Sequence, residues 1–162
     1  MENTAVNSNM TNRETEAKGL NTEINPLFSI LDKSEEFRRL QEGLCGGKGP
    51  AGVFGLGEAQ RTHIEAALFS KAKRPMLVVV PSEQAAARVH EELCCYYPDA
   101  VLFPARELPL NAHSYVQSQE LTSKRLRTAA RLIKGEPCLV VAPIEAVMQR
   151  MAPPSVISAF TQ

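Results

Sequence analysis

The chain has 162 residues, 44% of them hydrophobic and only 6% aromatic, enough for one modest core and not two. Its 18 basic and 18 acidic side chains cancel, so no overall field draws it onto nucleic acid or an anionic membrane, and any such contact must come from a local patch. The longest apolar runs, Met76 to Val80 and Cys138 to Ala142, are about five residues against the ~20 that span a bilayer, so no membrane partner is predicted.

Residues 1–24 open with MENTAVNSNMTNRETEAKG, rich in Asn, Thr and Glu. They lack both the apolar stretch of a secretory signal and the Arg-rich pattern of a transit peptide. A disordered tail on a cytoplasmic protein is expected, because almost no large side chain is available to offset the entropy of ordering. Residues 25–50 are predicted as a helical lead-in. Ser34 precedes Glu35 and Glu36 as an N-cap, Phe37, Leu40 and Leu44 follow at helical spacing, and Gly46, Gly47, Gly49 and Pro50 end the helix.

From residue 51 to 152 the pattern alternates between strand and helix. A first strand is placed near residues 51–55 on Val53-Phe54, and a helix follows from about Ala59 to Ala72. Next come the strand MLVVV, a helix from Ser82 to about Cys95, and the short run AVLF. A longer helix from Gln117 to Lys134 leads through Gly135 and Pro137 into CLVVA, and Ile144 opens a last short helix. Apolar runs without polar alternation predict strands covered on both faces. The expected fold is α/β, a parallel sheet of about four strands flanked by helices. Residues 153–162 are read as the start of a following, missing subdomain and the chain as the front portion of a larger design.

The junction Gly55-Leu56-Gly57-Glu58-Ala59-Gln60-Arg61-Thr62 sits where a phosphate loop belongs, between a predicted strand and a helix. Such a loop is written G-x-x-x-x-G-K-[ST]: backbone N–H groups cradle phosphate, the Lys reaches the terminal phosphates and the hydroxyl holds magnesium. Here Gln60 replaces the second glycine, Arg61 replaces the Lys, and Glu58 adds a carboxylate facing a polyphosphate. Gly55 and Thr62 alone remain in register. The predicted strand ends run into Pro81, Pro104 and Pro143, leaving no acid to hold magnesium. The expectation is a degenerate phosphate loop at Gly55, Gly57, Gln60, Arg61 and Thr62, with no cofactor, no metal and no catalytic residue. An unusual nucleotide-binding ATPase is the alternative.

On the long helix Lys124, Arg127, Arg131 and Lys134 share one face, with Leu121, Leu126, Ala129 and Ile133 on a broad opposite arc. The basic face can meet DNA or an acidic surface, which makes a DNA-binding module a further alternative, but a solvated helix face reads the same way. Arg125 falls within the apolar arc, where a lone charge is costly. It is expected either to pair with Glu107 or to snorkel to solvent. His63, His90 and His113 have no metal-ligand spacing, and Cys45, Cys94, Cys95 and Cys138 have no CxxC spacing, so all are taken as ordinary side chains. Tyr96 and Tyr97 are expected to pack rather than to stack on bases.

Residues 37–158, through FPARELP, the stretch from Gln119 to Leu126, and GEPCLVVAPIEAVMQRMAPP, resemble the first subdomain of the bacterial transcription-repair coupling factors, the Mfd family. That subdomain is itself similar to the nucleotide-binding part of the excision-repair helicase UvrB. The resemblance implies an incomplete RecA/UvrB-like α/β subdomain that has lost ATP binding. It belongs to a cytoplasmic parent that displaces stalled RNA polymerase, recruits UvrA and translocates on DNA with ATP. The motor domains and the main UvrA contact lie further along in the family. This chain is therefore expected to be non-catalytic scaffold, partnered by the remaining domains of the parent and, through them, by UvrA, RNA polymerase and DNA.

Overall fold

The computed structural model describes residues 26–47, 49–106 and 119–159. The expectations for residues 1–24 therefore lie outside the described residues. The chain divides into two compact units, Met1–Leu68 and Phe69–Gln162.

In the first unit residues 26–31 form helix α1, and α2 spans Glu35–Cys45. Ser34 caps α2 as expected: its hydroxyl oxygen accepts from the Phe37 N–H at 3.3 Å and its proton goes to the Glu36 carboxylate at 2.8 Å. Phe28 and Phe37 are buried, and helix α3, Glu58–Ala72, begins in this unit and buries Thr62, Ala66 and Ala67. The strand placed near residues 51–55 is not formed. Residues 49–57 are neither helix nor strand, and Phe54 is 92% exposed. A run of two apolar residues between Gly52 and Gly55 is too short to hold a ladder, and Gly55, at φ +82°, turns the backbone out of the extended region.

The second unit carries the sheet: β1 (Met76–Val80), β2 (Val101–Leu102) and β3 (Leu139–Pro143), all parallel, in the order β1-β3-β2. The sheet thus has three strands among the described residues, not four. Met76 pairs with Leu139 and Val80 with Pro143 along one side of β3, while Val101 and Leu102 pair with Val140 and Val141 on the other. Every residue of β3 is buried, as its unbroken apolar run predicts. MLVVV reads the same way but behaves differently, because β1 is an edge: Val78 is buried while Leu77 and Val79 are about half exposed.

Helix α4 (Glu83–Cys94), capped by Ser82 through the Ala85 N–H at 3.2 Å, connects β1 to β2. Helix α5 (Gln119–Ile133) precedes β3, and α6 (Ile144–Met148) and α7 (Pro154–Ala159) follow it. One core joins Phe103, Ala105, Cys138, Val140, Ala142 and Ala146. A second joins Ala129 and Ala130 of α5 to Ile157 of α7. The architecture is α/β, a small open parallel sheet flanked by helices, in keeping with part of a RecA/UvrB-like fold.

The buried stripe of α5 differs from the predicted one. Arg125, Thr128, Ala129 and Ala130 are buried and Leu121 and Leu132 half-buried, whereas Leu126 and Ile133 are more than 40% exposed. Small side chains let the helix approach its neighbours closely, so Ala and Thr occupy the inward face and two larger aliphatics remain outside.

Candidate functional site

The segment expected to be a phosphate loop leads into α3. Arg61 N–H donates to the Gly57 carbonyl at 3.0 Å, which makes Gly57 the N-cap, and Gln60 stands at the third helical position. Its side-chain oxygen reaches back and accepts from the Gly57 N–H at 2.9 Å. This is one half of a capping box, and it consumes a backbone donor of the kind a phosphate would need. Thr62 is buried, and its hydroxyl donates to the Glu58 carbonyl one turn earlier at 3.3 Å, so it is turned into its own helix. Arg61 is exposed at an open cleft of about 450 Å³ that it lines with Leu40, Leu44, Phe54 and Leu68. The residues that follow the three strands, Pro81, Phe103 and Ile144, include no carboxylate.

Arg125 is the most unusual side chain of the second unit. It is 1% exposed, so it does not snorkel. Nη1 donates to the Pro104 carbonyl at 2.6 Å and Nη2 to the Ala146 carbonyl at 3.3 Å, and the guanidinium carbon lies 4.3 Å from the centre of the Phe103 ring. Among the described residues Nε has no hydrogen-bond partner, and Glu107 lies outside them. Burial, and then the nearby Arg106 charge, holds the Arg125 pKa below its ordinary value. Beside it Gln149 accepts from the Arg106 N–H at 2.7 Å and donates to the Arg106 carbonyl at 3.2 Å, a reciprocal pair that mimics one rung of sheet. Sequence reasoning marked Arg125 but missed Gln149, since nothing in the spacing of a lone Gln signals a backbone partner 43 residues away.

Of the basic residues predicted to share a face, Lys124, Arg127 and Arg131 lie on α5 and Lys134 just past its end. Lys124 pairs with Glu120 at 2.8 Å and Arg131 with Glu136 at 3.6 Å, while Arg127 and Lys134 are exposed. The hydrogen bond and charge of Lys124 hold the Glu120 carboxyl below its ordinary pKa. Lys124, Arg127 and Arg131 also line a cleft beside β2; Lys134 is not among its lining residues.

His90 Nε2 meets the Ala100 carbonyl at 3.0 Å and Cys94 Sγ at 3.5 Å, and His63 packs on Phe28 at 5.6 Å between ring centres. His113 lies outside the described residues. Tyr97 meets Phe69 edge-on at 4.9 Å, the packing role expected of it. Burial raises the pKa values of the Cys94 and Cys138 thiols, which together with Cys95 are free. Among the described residues no group of three or more His, Cys, Asp or Glu side chains is arranged to hold a metal, and no helix is long and apolar enough to cross a membrane.

The open parallel sheet flanked by helices is in keeping with part of a RecA/UvrB-like fold. In sequence the chain is similar to a transcription-repair coupling factor. Over 128 residues, 78% of this chain, it is 30% identical to the transcription-repair-coupling factor of Bacillus subtilis (strain 168). The chain spans 11% of the length of that protein. No family model matches it, and no solved structure does.

Proposed function

We propose that this chain is a non-catalytic scaffold, the N-terminal UvrB-like part of a coupling factor that works in the bacterial cytoplasm. In this reading the parent's ATP-driven motor lies elsewhere. The segment holds the remaining domains in place and contributes indirectly to displacing RNA polymerase on DNA and recruiting UvrA. The observation that carries the reading is the Gln60 side chain on the Gly57 N–H, with Thr62 bonded to its own helix: the groups a nucleotide needs are already engaged within one turn of α3. Arg61 in place of Lys points the same way, because a guanidinium does not reproduce a compact ammonium at a phosphate.

The test is a titration of the chain with a fluorescent ATP analogue in excess magnesium. No saturable binding is expected up to millimolar nucleotide. Saturable binding that Thr62→Ala abolishes would contradict the proposal and favour a working, atypical nucleotide site.

A further inference from the structure

The free side of β2 is an edge with an unusual distribution of polar groups. The Phe103 N–H donates to the Val141 carbonyl at 2.8 Å with Leu102 paired opposite Val141. In a parallel ladder this register turns the backbone groups of Val101 and Phe103 toward β3 and those of Leu102 outward. The next outward positions on either side are already engaged. The Ala100 carbonyl receives the His90 Nε2 proton at 3.0 Å, the tautomer being set by an oxygen that can only accept. Pro104 has no N–H, and its carbonyl is held by Arg125. A full added strand is thereby blocked, and Leu102 is left as a single outward rung.

Alongside this rung lies an open cleft of about 590 Å³. Its lining is aliphatic at Val101, Leu102 and Leu121, cationic at Lys124, Arg127 and Arg131, and includes the imidazole of His90. Among the described residues no carboxylate and no Phe, Tyr or Trp lines it. Glu120 and Glu136 hold Lys124 and Arg131 in exposed pairs of the kind that contribute little and exchange readily. A phosphodiester backbone has no use for an aliphatic lining, the one ring among the described lining residues is the His90 imidazole, already tied to the Ala100 carbonyl, and the chain's formal net charge of zero gives no steering field.

We propose that this cleft is a docking site for an acidic peptide segment of a partner protein, with one aliphatic side chain seated on Val101, Leu102 and Leu121 and flanking carboxylates on Lys124, Arg127 and Arg131. The site is a one-residue anchor with a charged rim, not a strand-addition groove. It stands whether or not the loop before α3 binds nucleotide.

The experiment selects a random-peptide library displayed on phage against the intact 162-residue chain at physiological salt. The most enriched peptide is then synthesised and its affinity measured for the chain, for Lys124→Glu/Arg127→Glu, and for the control Arg61→Glu, with melting curves confirming that each variant is folded. The expected result is enrichment of sequences with acids flanking Leu, Ile or Val. Binding should fall by about tenfold or more in the double variant and stay unchanged in the control, as loss of charge complementarity requires. A selection without acidic consensus, or equal binding by the double variant, overturns the proposal. So does a mixed-sequence DNA duplex that binds more tightly than the best peptide and loses affinity in the double variant, because the face would then be a nucleic-acid site.

Discussion

The loop before α3 and the ends of β2 and β3 treat polar groups in opposite ways. At the loop the side-chain caps are local: Gln60 reaches three residues back to Gly57 and Thr62 four residues back to Glu58. At the strand ends the bonds are long-range, with Arg125 reaching 21 residues in each direction, to Pro104 and to Ala146, and Gln149 reaching 43 residues to Arg106. Local bonds trim a helix end and can be exchanged for water at small cost. Long-range bonds to buried carbonyls hold separate elements together, and a buried acceptor that loses its donor cannot recover one from solvent. The cap at Gln60 therefore concerns one helix end, while the buried Arg125 ties together the segments at Pro104 and Ala146.

Substitution of Arg125 sharpens this contrast most. Arg125→Met keeps much of the volume but strips the Pro104 and Ala146 carbonyls of their donor, and is expected to cost about 2–4 kcal/mol. A urea midpoint equal to or above that of the parent chain would mean that burying the charge costs as much as its bonds return, as happens in some buried ion networks. A double-mutant cycle with Glu107→Gln asks whether that carboxylate shares the load. Gln149→Ala, removing two bonds at an exposed position, should cost about 1 kcal/mol in the same assay. At the other region Gln60→Ala should cost only about 0.5–1 kcal/mol, the range of a lost helix cap, and a larger loss would show that the loop supports more than its own helix.

The smallest effect concerns pH. Burial raises the Tyr97 phenol above its ordinary pKa, with the Ser70 hydrogen bond opposing the shift. A raised folded-state pKa means that the phenol's contribution is fully present below the unfolded value and is lost as pH rises through the folded one. Melting temperature should therefore fall above about pH 10, and Tyr97→Phe should reduce that alkaline decline while slightly lowering stability at neutral pH through the lost bond to Ser70. An identical alkaline decline in the variant would place the titrating group elsewhere, with the buried Cys138 thiol the next candidate.

The elements that could be read from the sequence are those whose signals are local. Ser34 and Ser82 announce their helices, and CLVVA is buried throughout because an unbroken apolar run at the centre of a parallel sheet has no wet face. What failed depended on neighbours. Val53-Phe54 has strand propensity but no strand beside it, and MLVVV looks like CLVVA though one is an edge and the other central. On α5 the helical wheel rightly turns Ala129 inward but also favours Leu126 and Ile133, where close packing selects Ala130 and Thr128. Of the candidate sites, the start of α3 just past Gly57 and the inward position of Arg125 were legible. The clamp at Arg106 was not, because a lone Gln gives no sign of a backbone partner 43 residues away, and the Gln60 cap was missed although a Gln at the third helical position is a capping signal.

Whether the Gly57 N–H belongs to Gln60 and not to a phosphate can be read from the amide resonances of residues 55 to 62 in the ¹⁵N–¹H spectrum. They should stay in place when millimolar magnesium-ATP is added, while Gln60→Ala alone moves the Gly57 signal. A saturable shift of the Gly57 and Thr62 amides with nucleotide in the unaltered chain would contradict the claim.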